Sequence, residues 1–172
     1  MNSPLEDRDS RFSWLAEGNA KQARKRVAAK VLIRDQIGRI LLVNPTYKEH
    51  WDIPGGMAEA NEPPRLAARR EIAEELGVHV EVGALLALDW IGPHGPWDDQ
   101  LAFVFDGGTL PDGAINELAI TDREISQFGF FYAPDASRLL RTDVAERLMR
   151  AVDSLTTNRT HYTEERDVDH SD

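Results

Sequence analysis

Hydrophobic positions fall in short runs along the chain, and their spacing predicts strands alternating with a few helices. RKRVAAKVLIR, residues 24–34, is basic and then strand-like, and GRILLVNP, 38–45, reads as its hairpin partner. The loop PTYKEHWDIPGG leads into a stretch from Leu66 to Leu76 built mostly of Leu, Ala, Arg, Glu and Ile, good helix formers. Pro63 and Pro64 suit its first turn and Gly77 its C-terminal stop. At 100° per residue, Leu66, Ile72, Ala73 and Leu76 share one arc of about 120°. VHVEVGALLALDW then reads as one long or broken strand, QLAFVFDGG as another and FGFFYA as a short buried one. IGPHGPWDD is turn-rich, and residues 109–127 form an irregular polar connection. PDASRLL and TDVAERLMRAVDSL read as a short and a longer helix. Strands on both sides of a central helix, with a helix at the end, predict an α/β/α sandwich around a mixed β-sheet.

The pattern weakens at both ends. Residues 1–23 lack a clear period and are expected to be a partly ordered extension, with Phe12, Trp14 and Leu15 able to dock on the body. Residues 24–155 carry the domain, and 156–172 are polar, acidic and expected to be a disordered tail. The 172 residues are ample for one domain with a real core. No apolar run approaches the roughly 18 residues a membrane span needs, and the polar, acidic N-terminus does not resemble a signal peptide. Zero cysteines exclude disulfides, thiolate metal sites and cysteine nucleophiles, which makes a cytoplasmic home the expectation. A net charge of −10 argues against stable nucleic-acid binding, which rests on many Lys and Arg contacts with phosphate. A small phosphorylated partner remains compatible if metal ions sit between the two negative parties. A homodimer is compatible as well.

The helical stretch carries an anomaly. Glu71, Glu74 and Glu75 share an arc of about 100° away from the apolar one. Like charges at (i, i+3) and (i, i+4) destabilise a helix by a few tenths of a kcal/mol per pair. A solvated surface face would explain an isolated acidic helix. These glutamates are not isolated. In GGMAEANEPPRLAARREIAEELGV, residues 55–78, Gly56 is followed after five residues by Glu62 and after seven more by Arg70-Glu71. Ile72, Glu74-Glu75, Gly77 and Val78 complete the spacing G-x5-E-x7-R-E-U-x-E-E-x-G-U, with U apolar. A chance match at average residue usage is well below ~1 in a million. Three helical carboxylates preceded by a fourth make an all-oxygen site, the kind that hard cations such as Mg²⁺ or Mn²⁺ prefer. The like-charge crowding is then a cost offset by cation binding.

This spacing is the Nudix box, and the chain resembles the Nudix hydrolases. The resemblance implies Mg²⁺ or Mn²⁺ as cofactor and hydrolysis of a diphosphate linkage in a nucleoside diphosphate derivative. It implies metal ligation by Glu71, Glu74 and Glu75, one of them able to act as general base. Arg70 would orient a neighbouring glutamate, a task that suits a guanidinium fork. Glu62 and Gly56 would be supporting residues, and the carbonyl of Gly55 a ligand. Trp51 and Pro54 complete a W-x-x-P-G-G lead-in expected to pack. Asn61 stands where many members have glycine, and asparagine tolerates a left-handed backbone. Met57 leaves no lysine after the glycine pair. A further carboxylate outside the box is expected at Glu124, with Asp98 and Asp99 behind it.

The box is silent about the group attached to the diphosphate, whether that of a nucleotide sugar, ADP-ribose or a (d)NTP. Tyr47, Trp90, His94 and Trp97 lie in or beside flanking loops, where aromatic rings could stack on a base. A non-nucleotide diphosphate such as a prenyl diphosphate is an alternative, as is a Nudix-fold sensor that binds without cutting. The related isopentenyl diphosphate isomerases rely on a cysteine that this chain lacks.

Overall fold

The computed structural model describes residues 4–165. β1 (Arg26–Arg34) lies near the middle of a seven-stranded mixed sheet. It pairs antiparallel with β2 (Ile40–Pro45) and β3 (Gly55–Met57) on one side and parallel with β5 (Gln100–Thr109) on the other. β6 (Ile125–Phe131) extends the sheet beyond β2; β4 (Leu85–Ile91) and β7 (His161–Glu165) extend it beyond β5.

The period-two alternation of β1 builds the two sides of the sandwich. Ala29, Val31 and Ile33 face α2 (Pro64–Leu76), in a core shared with Ala67, Ala68, Ile72 and Leu76. Leu32 faces the other way, in a core with Ala136, Ala145 and Leu148 from α4 (Ala133–Leu139) and α5 (Thr142–Thr157). Ala28 and Lys30 share that second face. The α/β/α layers read from the sequence are therefore those of the folded chain.

Several local expectations are corrected. Of the long stretch after Gly77, only residues 85–91 form a strand. Val78, Val80 and Val82 are buried in alternation against the α2 core, but β5 already has β1 and β4 on its two edges. The alternation there reflects burial, not pairing. The connection at 109–127 contains a short helix, α3 (Asp112–Glu117), and the start of β6.

The apolar arc of α2 is also rolled from its predicted position. Leu66 is half exposed, whereas Ala67, Ala68 and Glu75 are buried. The first 23 residues include a helix, α1 (Pro4–Ala20), whose Phe12, Trp14 and Leu15 are exposed and do not dock. On a helix those three point about 0°, 200° and 300° around the axis, so they share no single face. Residues 161–165 of the expected tail form β7, parallel to β4, with His161 opposite Ala87. Asp89 ties this edge down: it is fully buried and accepts hydrogen bonds from Arg147 Nε at 2.6 Å, Arg150 at 2.6 Å and Thr163 Oγ1 at 2.5 Å. The remainder of the expected tail, 166–172, lies outside the described residues. No helix among the described residues is long and apolar enough to cross a membrane.

Candidate active site

Chain geometry delivers the box residues to one place. The WDIPGG segment crosses from β2 to β1: Asp52 pairs with Val43, Pro54 O accepts Val31 N–H at 2.9 Å, and Gly55 and Gly56 stand opposite Lys30 and Ala29. Gly55 has φ +117, and a Cβ there would meet Ala29 O at 2.3 Å. Only glycine fits that conformation and that approach. At Gly56 a Cβ would lie 2.4 Å from the carboxylate of Glu71. The second glycine is thus the gap through which a helical carboxylate reaches the loop. Asn61 turns the chain into α2 with φ 63, the left-handed backbone that asparagine tolerates.

Arg70 is the hub of the exposed side. Its Nε and Nη2 donate to the two oxygens of Glu62 at 3.0 and 2.9 Å, and Nη1 donates to Glu71 at 2.8 Å and Glu74 at 3.0 Å. Nη2 also reaches Met57 O at 3.1 Å, fixing the chain just after the glycine pair. The paired hydrogen bonds from Arg70 hold the Glu62 carboxyl down at about 2. Its partners in turn hold the guanidinium well above its ordinary value.

Glu75 is different. The roll of α2 buries it to 8% exposure, and its Oε2 accepts Gly55 N–H at 2.9 Å. Burial pushes its pKa up to about 7; Lys30 and the Gly55 N–H pull the other way, and Glu71 and Asp52 add to the rise. A buried carboxylate beside a second carboxylate, with Lys30 as its nearby cation, still favours further positive charge.

Lys30, which sequence reasoning did not single out, stands between these acids and a cavity. Its Nζ donates to Gly55 O and, at 3.1 Å, to Asp52. Lys48 donates to the same Asp52 oxygen at 2.6 Å. Burial would raise Asp52, but the two lysines outweigh it and hold the carboxyl at about 2. Lys30 itself is pulled down by burial and raised overall by Asp52 and Glu75. The one sequence signal was a lysine in the middle of an apolar strand, AAKVLI.

The cavity, about 370 Å³, opens on the α5 face of the sheet. Lys30, Lys48, Asp52 and Trp51 line one wall, and Arg141, Asp143 and Arg147 another. That volume suits a small-molecule ligand. Of the four aromatic or imidazole side chains expected to contact substrate, the structure brings only His94 into its lining. Trp90 alternates with Asp89 and Ile91 on β4 and so faces the opposite side of the sheet, where its Nε1 donates to Asp99 at 2.8 Å. Trp97 stacks under the Arg26 guanidinium, 4.6 Å from ring centroid to Cζ. Tyr47 is largely exposed; partial burial of its phenol raises the pKa, Lys30 opposes this, and Asp52, Glu124 and Glu75 add to the rise. Trp51, expected to pack, does so edge-on against Phe131 at 5.0 Å, and the residue also lines the cavity.

Among the further carboxylates, Asp99 is taken by Lys25 and Trp90, and the Asp98 carbonyl by Arg26 at 3.3 Å. Glu124 is exposed, on the loop that caps α2 through Thr121 N–H to Glu75 O at 3.2 Å. Its carbonyl accepts Thr46 N–H at 2.7 Å, next to Tyr47. Among the described residues, no three acidic or histidine side chains are already gathered at ion-binding distance. Glu71 and Glu74 are turned to Arg70, and Glu75 to Gly55. The donor set nonetheless fits a hard cation: Glu71, Glu74, Glu75 and the Gly55 carbonyl offer only oxygen.

The family model for the NUDIX domain matches residues 24–152. Diphosphoinositol polyphosphate phosphohydrolase 2 of Rattus norvegicus is 39% identical over 66 residues, 38% of this chain and 37% of that protein. A MutT-like protein of Streptomyces ambofaciens is 39% identical over 57 residues, 33% of this chain and 36% of that protein. The chain thus spans little more than a third of the curated relatives it matches. The crystal structure of a MutT NUDIX hydrolase from Burkholderia pseudomallei superposes with TM-score 0.62 at 25% identity, covering 74% of this chain and 98% of that one.

Proposed function

The chain belongs to the NUDIX domain family, and we propose that it is a metal-dependent hydrolase that cleaves the diphosphate linkage of a nucleoside diphosphate derivative by water attack on phosphorus. The observation that carries this reading is Glu75: a buried carboxylate, aimed at Gly55 and within electrostatic reach of Glu71, in a setting that favours a cation. Glu71, Glu74, Glu75 and the Gly55 carbonyl would hold Mg²⁺ or Mn²⁺. Bound there, the ion neutralises charge building on the phosphoryl oxygens and lowers the pKa of water.

The chain's own residues do the rest. Arg70 fixes Glu71 and Glu74 in direction while Glu62 fixes Arg70. One of these three glutamates would accept the proton lost by the attacking water. Water oxygen bonds to phosphorus, the bridging P–O bond breaks, and the second phosphoryl group leaves with the bond's electron pair. The cavity beside Lys30 receives the group attached to the diphosphate.

A second reading, a non-nucleotide diphosphate, is favoured by the cavity lining. Trp51 is its one aromatic carbocycle, and the cations Lys30, Lys48, Arg141 and Arg147 outnumber the acids Glu49, Asp52 and Asp143 by one. The test is a panel of nucleotide sugars, ADP-ribose, dinucleoside polyphosphates, (d)NTPs, prenyl diphosphates and diphosphorylated polyols, with products identified by mass, in Mg²⁺ and in chelator. Metal-dependent release of a nucleoside monophosphate supports the first reading. Turnover confined to the last two substrate types selects the second, and turnover undiminished in excess chelator rejects both.

A further inference from the structure

We propose that Lys30 and Lys48, gathered on Asp52, form the diphosphate anchor of this site, and that Lys30 exchanges the Gly55 carbonyl for a phosphoryl oxygen when a metal ion arrives. The inference rests on the hydrolase reading above and extends it to residues outside the box.

Lys30 stands directly opposite Gly55 in the β1–β3 pairing, so its position is set by backbone register. Its ammonium bonds the Gly55 carbonyl, the oxygen that the family resemblance assigns to the metal, and one oxygen of Asp52. Lys48 bonds that same Asp52 oxygen, and the other Asp52 oxygen accepts Ile53 N–H at 2.8 Å. Two ammoniums thus share one carboxylate. The trio carries a net positive charge at the boundary between the cavity, which all three residues line, and the box acids.

A lysine between apolar strand neighbours gains little stability from its ion pair, since apolar packing often matches a buried salt bridge. An ammonium offers three donors, and Lys30 uses two. A divalent ion and an ammonium on one carbonyl oxygen repel each other strongly at such range. With an ion on that carbonyl Lys30 would leave Gly55, while Asp52 would keep it beside the cavity. A phosphoryl oxygen entering from the cavity is the anion that then satisfies it. The two ammoniums would hold the diphosphate from the cavity side.

The experiment is calorimetric titration of the full chain. It measures the affinity for Mn²⁺ alone, and then for methylenediphosphonate, which water cannot cleave, at saturating Mn²⁺. Wild type is compared with Lys30→Met and Lys30→Gln; glutamine keeps a donor for Gly55 without the charge. Both variants are expected to bind Mn²⁺ as tightly as wild type or more tightly, and the diphosphonate at least about 10-fold more weakly. Diphosphonate affinity within about twofold of wild type overturns the proposal. So does Mn²⁺ affinity weakened in both variants, which would make Lys30 a structural pin for β3. Should Lys30→Met fail to fold, Lys30→Gln alone decides. Wild-type protein that binds no Mn²⁺ would sink the hydrolase reading itself, a result distinct from either of these.

Discussion

Glu75→Gln should make the metal-free protein more stable at alkaline pH while removing its activity. Burial raises the Glu75 pKa from 4.5 to about 7 in the folded chain, so ionising it there costs free energy that ionising it in the unfolded chain does not. Because the folded value lies above the unfolded one, the cost is absent well below pH 4.5, grows between the two values, and is complete above pH 7. At 1.36 kcal/mol per pKa unit it comes to about 1 kcal/mol at pH 5 and about 3 kcal/mol at pH 8. A glutamine oxygen can still accept the Gly55 N–H, so the substitution removes the charge and keeps the hydrogen bond. Urea denaturation in chelator at pH 5 and pH 8 measures the difference. The variant is expected to gain about 3 kcal/mol at pH 8 and about 1 kcal/mol at pH 5, while metal-dependent turnover falls at least about 100-fold. A variant no more stable than wild type at pH 8, or a gain that does not grow with pH, refutes the reasoning.

Three further predictions follow the same geometry. Asp89→Ala strips two arginines and Thr163 of their buried partner and should lower stability by about 3–5 kcal/mol in chemical denaturation, loosening β7 first in hydrogen exchange. Arg70→Lys cannot reproduce the fork on Glu62 and should lower kcat about 10- to 100-fold with little change in thermal midpoint; full activity would show that the orientation is dispensable. Trp97→Ala, stacked on Arg26 away from the cavity, should leave KM within about twofold for whichever substrate the panel identifies, and a large rise would return Trp97 to the binding site.

The box and the sandwich were legible because both are encoded locally. The glutamate spacing sits within 24 residues, and the alternation of β1 declares its two faces. What escaped depends on pairings distant in the chain. Lys30 gains its meaning from Gly55, 25 residues on, through a register that no local pattern announces. HYTEE looked like tail because an edge strand paired on one side needs little apolar character; its hold comes from β4 and Asp89. Trp90 and His94 looked alike in a turn-rich stretch, yet strand alternation sends Trp90 to the opposite face of the sheet while His94 reaches the cavity. Leu66 and Glu75 exchanged expected roles because α2 is rolled toward Gly55, and a helical wheel has no fixed orientation until its partner is known.

The proposed hydrolysis depends on a divalent ion between the box acids and Gly55. A crystal grown with Mn²⁺ and measured for anomalous scattering tests it most directly. A peak is expected about 2.1 Å from carboxylate oxygens of the Glu71–Glu75 turn, with the Gly55 carbonyl among its ligands. Acids still turned to Arg70 and Gly55 N–H, with manganese elsewhere or nowhere, would contradict it.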